Sequence, residues 1–192
     1  MDEELRLNEI ERDCLSCREC PLCETRHHVV FGVGDEHAEL MLIGEGPGEQ
    51  EDLQGEPFVG PAGQLLDDML TLIDLRRDQL YICNVVKCRP PRNRDPLSQE
   101  QDACRHWLDA QLRRVKPKII VCLGRIAATS MISEDFKITR QHGQWFNVNG
   151  VAMTAIYHPS ALLRDPSKRP ETFADLRSIR AKARELCDHL YH

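Results

Sequence analysis

Three polar side chains stand where short apolar runs give way to loops. They are Glu45 in Gly44-Glu-Gly-Pro-Gly48, Asn84 at the end of Leu80-Tyr-Ile-Cys-Asn84, and His158 in His158-Pro-Ser160. A carboxylate can position or activate water, an imidazole can donate or take a proton, and a carboxamide can read a planar amide in both donor and acceptor senses. Phe58, in the Gly/Pro loop that runs on to Gly63, could fill core or offer a ring face for stacking. The glycine turn is no phosphate cradle. A dinucleotide fingerprint would need glycine at position 49, which is glutamate, and a P-loop would need a lysine that is absent. The four acids between positions 45 and 52 would also repel a phosphate.

A second kind of chemistry lies in the cysteines. Cys14, Cys17, Cys20 and Cys23 follow one another at a spacing of three, and the chain holds nine cysteines in all. The start, Met-Asp-Glu-Glu, is acidic and carries no apolar leader, so a cytoplasmic protein is expected. There, thiols serve as metal ligands or buried side chains rather than disulfides. A C-x-x-C half-site suits zinc or iron–sulfur and needs two more ligands. Cys88, in an irregular loop, and Cys104, early in the next helix, can supply them. Spacing leaves zinc and a [4Fe–4S] cluster open, and Cys14 and Cys23 compete for the role. Cys83 and Cys122 in apolar strands, and Cys187 near the end, read as structural thiols.

The net charge of −6 is unevenly spread. Residues 1–60 carry 16 acids and 4 bases, whereas residues 87–118 carry 9 bases and 4 acids, a local basic stretch on an acidic protein. No apolar run approaches the roughly 18 residues of a membrane span.

The elements that must position these groups follow from periodicity. Residues 2–13 alternate acids with Leu5, Leu7 and Ile10, as in an amphipathic helix. Apolar runs at 39–44, 80–86 and 118–123 read as buried strands. Leu65, Leu66, Met69, Leu70 and Ile73 recur at helical spacing. Ser98 with Gln101 suggests a capping box opening a helix to about Val115, its apolar face formed by Ala103, Trp107, Leu108 and Leu112. Residues 144–157 form a hairpin turning at Asn149-Gly150, and a charged helix from about Arg169 closes the chain. Strands alternating with helices imply one α/β domain over residues 1–192, a three-layer α/β/α sandwich around a mainly parallel four-stranded sheet. Glu45, Asn84 and His158 then share the carboxyl edge of that sheet, where such folds bind ligands.

Taken in order, several motifs together resemble the family 4 uracil-DNA glycosylases, the iron–sulfur type. They are Cys17-x-x-Cys20-Pro-Leu-x-Glu-Thr-Arg26, Gly44-Glu-x-Pro-Gly-Glu-x-Glu-Asp52, Pro57-Phe-Val-Gly60, Ala62-Gly-Gln-Leu-Leu66, Asn84-Val-Val-Lys-Cys-Arg-Pro-Pro91, Asn93-Arg-Asp95, Ala103-Cys-Arg105 and His158-Pro-Ser-Ala-Leu-Leu-Arg164. The resemblance implies removal of uracil from double- or single-stranded DNA by hydrolysis of its N-glycosidic bond, by a monomer. It implies a [4Fe–4S] cluster on Cys17, Cys20, Cys88 and Cys104. Gly46, Phe58, Asn84 and His158 would hold the flipped base, Phe58 by stacking, Asn84 on its O4/N3 edge and His158 at O2. Glu45 would handle the water, with Glu51 and Asp52 as possible contributors. Lys87, Arg89, Arg94 and Arg164 would hold phosphates.

Two departures stand out: Gly46, where the most familiar uracil-DNA glycosylases carry aspartate, and Cys23, where another residue is common. The loop over 87–97 lacks the Lys-Arg-Arg-x-His insertion of the uracil-trapping branch, so turnover is expected. A non-catalytic zinc- or iron–sulfur-containing nucleic-acid-binding protein is the competing reading. It would share the cysteines and the basic loop but has no use for Glu45, Asn84 and His158 at one edge.

Overall fold

A computed structural model describes residues 6–191. The first helix, α1 (Leu7–Leu15), and the single-turn α2 (Leu22–Thr25) precede the sheet. The strands are β1 (Val33–Gly34), β2 (Leu40–Gly44), β3 (Tyr81–Asn84), β4 (Ile119–Leu123), β5 (Phe146–Val148) and β6 (Val151–Ile156). Their order is β1-β3-β2-β4-β6-β5 in one six-stranded sheet. β3, β2, β4 and β6 run parallel, with β1 and β5 as antiparallel edges. The four-stranded expectation therefore captured only the parallel centre. Val33–Gly34 is too short to show a period, and β5, the first arm of the expected hairpin, joins the same sheet as its far edge.

Alternation along the strands builds the two outer layers. Met41 and Ile43 of β2 and Tyr81 and Cys83 of β3 face one cluster, shared with α1, α5 (Ser98–Val115) and α6 (Arg125–Met131). Leu40, Leu42 and Ile82 face the other, shared with α4 (Pro61–Thr71), α8 (Pro159–Arg164) and α9 (Arg169–Leu186). The short helices α3 (Glu49–Gln54) and α7 (Ile138–Gln141) lie in the connections. The three-layer sandwich is as expected. The hairpin turns at Asn149 and Gly150, both left-handed at φ 52° and 85°, as a two-residue connection of this type requires. No helix among the described residues is long and apolar enough to cross a membrane.

Two local expectations change. α5 is capped by Leu97, not Ser98: the Glu100 carboxylate accepts the Leu97 N–H at 3.2 Å and is itself held by both Nη atoms of Arg94, at 2.6 and 3.1 Å. Gln101 instead donates to the Pro96 carbonyl at 3.1 Å. A fixed, ionised acceptor outcompetes a neutral amide. The buried stripe of α5 is Glu100, Cys104, Leu108, Gln111 and Val115, so polar groups face inward where apolar ones were expected. The helix of residues 2–13 is seen as α1, its first residues lying outside the described range.

Candidate active site and cysteine pocket

Where β2 and β3 end, their pairing continues into the loops: Val85 N–H donates to Gly44 O at 2.9 Å and Val86 N–H to Glu45 O at 3.2 Å. This brings the Glu45 turn and Asn84 side by side at the mouth of a cavity of about 310 Å³, a volume suited to a small ligand. Its walls include Glu45, Gly46, Phe58, Asn84, Asp95, His158 and Arg164. Sequence reading placed Glu45, Asn84 and His158 at one sheet edge, and the fold brings them into one cavity with Phe58.

Gly44 makes that meeting possible. A Cβ there would stand 2.4 Å from Asn84 Oδ1 and 2.7 Å from Phe58 Cζ, closer than atoms can approach. At Gly46 a Cβ would stand 2.7 Å from Val86 Cγ2, so a side chain at that position would have to push the Val86 side chain aside. Asn84 is 2% exposed, and its Oδ1 has no hydrogen-bond partner among the described residues. A buried carbonyl left unpaired is costly unless a ligand completes it.

Phe58 is buried in a left-handed conformation, φ 54°, which a side chain adopts only under constraint. Arg77 supplies the constraint: its guanidinium donates to the carbonyls of Phe58, Pro57 and Gly63, the latter two at 3.1 and 3.2 Å. From the other side, Glu51 Oε1 accepts the N–H groups of Val59 and Gly60, each at 3.2 Å. The Phe58 ring is thereby stacked on His158, centroids 5.6 Å apart at 29°.

His158 lies two residues beyond β6 and caps α8. Its Nδ1 accepts the Ser160 N–H at 3.1 Å and meets Ser160 Oγ at 2.7 Å. A backbone N–H can only donate, so the ring proton sits on Nε2. Burial, and secondarily the Arg164 charge, hold the imidazole down at about 4, so it is neutral at physiological pH. Gly124, φ +91°, leaves room behind it: a Cβ there would lie 3.0 Å from His158 Cβ.

Glu45 is displaced the other way. Burial and then the neighbouring Asp95 carboxylate raise it to about 7, against the pull of Arg125 and Arg164. Asp95 is in turn held by Arg125 at 2.7 Å. The other two acids offered for the water have different work. Glu51 braces the Phe58 loop. Asp52, 1% exposed, accepts the N–H groups of His27 and His28 at 2.8 and 3.3 Å and meets His27 Nδ1 at 2.6 Å, pinning α3 to the segment after the cysteines. Asp52 is not among the residues lining the cavity.

The cations divide similarly. Arg164 is exposed and lines the cavity. Arg94, also on its wall, is forked onto Glu100, and Arg89 donates from Nε to Asn93 at 2.7 Å while remaining partly exposed. Lys87 must be withdrawn from the phosphate contacts: it is 1% exposed, with its ammonium turned inward. Sequence reading gave no role to Arg77, Asp95 or Ser160. Asp95 and Ser160 stood inside recognised motifs, but nothing local marks Arg77, whose contact with Phe58 spans 19 residues.

On the opposite side of the sheet, Cys14, Cys17, Cys20, Cys23, Cys88 and Cys104 line one recess. No three His, Cys, Asp or Glu side chains among the described residues are arranged to hold a single metal ion. Three of the expected ligands accept N–H groups: Cys17 from Trp107 Nε1 at 3.4 Å, Cys88 from Arg26 Nη1 at 3.4 Å, and Cys104 from Lys87 N at 3.3 Å. Such donors are the outer shell that thiolate ligands require. Burial pushes the Cys20, Cys88 and Cys104 thiols up, Cys104 to about 11. Bound metal is the partner that would favour the thiolate there.

The amino-acid sequence matches a known family. The sequence model of the uracil DNA glycosylase superfamily covers residues 31–181, and the chain belongs to that superfamily. Within it the similarity is to the type-4 enzymes. The chain is 46% identical over 189 residues to the type-4 uracil-DNA glycosylase of Archaeoglobus fulgidus, covering 94% of this chain and 93% of that one. It is 42% identical to that of Sulfurisphaera tokodaii, covering 92% and 84%, and 44% identical to that of Thermotoga maritima, covering 79% and 80%.

Proposed function

We propose that the chain excises uracil from DNA, leaving an abasic site. The observation that carries this reading is the buried, unpartnered Asn84 carboxamide set beside Phe58 and a neutral His158. Together they suit a flat, uncharged base with amide edges. The target must leave the helix to enter the cavity, which favours an already mispaired base. Phe58 and Asn84 then take its face and its O4/N3 edge. Arg164 meets the backbone, with Arg89 and Arg94 available nearby. Leu163, 42% exposed on α8 between Ala161 and Arg164, is an apolar group that could take the vacated place in the stack.

As the N-glycosidic bond breaks, its electron pair passes to the base, and negative charge grows on O2. His158 Nε2–H donates to that oxygen without surrendering its proton, the preorganised-donor form of catalysis. The ionised form of Glu45 stabilises the sugar cation and orients the water that attacks C1′, taking the proton that water loses. The base anion is protonated by solvent, so uracil and an abasic site form at the expense of one water.

The cysteine recess supports a [4Fe–4S] cluster on Cys17, Cys20, Cys88 and Cys104, which by nature of the reaction would be structural, since hydrolysis moves no electrons. These residues would join the segment after α1, the loop after β3 and α5 into one unit behind the Asn84 edge. Cleavage of an oligonucleotide with a single uracil tests the whole reading. Wild-type protein should cut single- and double-stranded forms after alkali, and His158→Ala and Glu45→Ala should lose most of the rate. Intact DNA with metal-loaded wild-type protein would refute it.

A further inference from the structure

Lys87 stands in the basic stretch of the sequence, yet the fold removes it from solvent. Its Nζ donates to the Asn84 carbonyl at 2.7 Å and to Gln111 Oε1 at 2.6 Å. Gln111, 0% exposed in α5, is itself fixed by donating to Phe31 O at 2.8 Å and to the Tyr81 hydroxyl at 3.0 Å. The Lys87 N–H meets Cys104 Sγ, and Cys88 is the next residue. Both acceptors of the ammonium are neutral, and no carboxylate pairs with it among the described residues. Burying an ammonium without a counter-charge is expensive. Lys87 lines the cysteine recess, where the thiolates of a loaded site would supply that charge.

The geometry concentrates four duties in one turn. Residues 84–87 carry the amide that faces the cavity, the N–H groups that hold Gly44 and Glu45, the ammonium that closes back on Asn84, and the approach to Cys88. We propose that Lys87 is a positioning residue: its ammonium ties the end of β3 to α5 and so holds Asn84 in register with the base, linking the cysteine recess to the uracil cavity. This rests on the uracil reading of the cavity. A lysine suits the place because it reaches three residues back and donates in more than one direction. Arginine, planar and longer, would not fit the same two acceptors.

The test uses metal-loaded protein and three readouts: iron content with absorbance near 400 nm, inhibition by free uracil, and affinity for uracil-free DNA as a function of salt. Lys87→Met should keep its iron, weaken inhibition by free uracil about 10–100-fold, the size of the effect when hydrogen bonds from a charged group are removed, and leave the salt dependence of DNA binding unchanged. A phosphate-contacting lysine would instead lower the salt slope by about 0.9 with uracil inhibition intact. That result, or wild-type inhibition by uracil, overturns the proposal. If Lys87→Met fails to fold or to retain iron, Gln111→Leu decides on the same measure, since it removes the ammonium's acceptor on α5 while leaving Lys87 and every cysteine in place. It should weaken uracil inhibition in the same direction, and wild-type inhibition would overturn the inference. Asn84→Ala separates the two levels. Should it leave uracil inhibition unchanged, the uracil reading fails and takes this inference with it. A normal Asn84 effect with a silent Lys87→Met overturns the inference alone.

Discussion

The opposed shifts of Glu45 and His158 predict a pH profile with a known owner for its limb. Glu45 titrates at about 7, with burial and Asp95 as the causes, and His158 at about 4. In the proposed mechanism, water handling needs the Glu45 carboxylate, and donation to O2 needs the neutral imidazole. Above pH 5 the imidazole is already in its working form, so the acid limb belongs to Glu45. The ionised fraction is about one half at pH 7 and about one hundredth at pH 5, so kcat/KM should fall about tenfold per pH unit below 7. Single-turnover cleavage of a uracil oligonucleotide between pH 5 and 9 measures this. Glu45→Gln should lose the limb along with most of the rate, and Asp95→Asn should move the limb to lower pH by removing the second cause of the shift. A flat profile for wild type, or a limb that survives in Glu45→Gln, refutes the reasoning.

The same shifts bear on stability, with opposite signs. Glu45 is raised from 4.5 in the folded state, so the folded chain holds the extra proton between pH 4.5 and 7 and stability drains away as pH rises through that window. His158 is lowered from 6.5, so its contribution is lost as pH falls from 6.5 to 4. The two slopes largely offset where they overlap. Glu45→Gln removes one of them and, with solvent screening at a partly exposed carboxylate reducing the effect, should raise stability at pH 8 by about 1–2 kcal/mol, readable by denaturant titration. An unchanged midpoint would count against burial as the cause of the shift.

Further expectations follow from single contacts. Gly44→Ala should fold but lose base binding, because its Cβ would fall 2.4 Å from Asn84 Oδ1; inhibition by free uracil, measured beside thermal unfolding, separates the two effects. Arg77→Met removes the donors that hold the carbonyls of Pro57, Phe58 and Gly63. It should destabilise the fold by about 1–3 kcal/mol through the carbonyls left unpaired and raise KM more than it lowers kcat. Cys88→Ser should yield protein with little iron and no absorbance near 400 nm, whereas Cys122→Ser, buried in β4 and not among the residues lining the recess, should keep both. Iron analysis of the two purified variants settles the assignment.

The local signals in the chain were sound where the physics is local. Apolar runs marked β2, β3 and β4, and Asn149-Gly150 marked the hairpin. Those patterns record which side chains must leave water and which backbone conformations a turn demands. The edge strand β1 escaped because two residues carry no period, and the cap of α5 escaped because Arg94 makes Glu100 the better acceptor.

By itself the sequence determined the parallel centre of the sheet, the glycine turn that excludes phosphate, and the family to which the chain belongs. It also determined which residue types reach the carboxyl edge, since strand ends fix that in any α/β sheet. Only the tertiary structure decided what each charged residue does once there. Lys87 reads as a surface cation and is buried, because Gln111, 24 residues later, and Asn84 meet its ammonium. Asp52 and Glu51 read as partners of Glu45 and instead brace His27 and the Phe58 loop. A side chain's charge is written in the chain, but its solvation and its partners are set by what folding brings from elsewhere, and so, for Glu45 and His158, is the protonation state on which the chemistry depends.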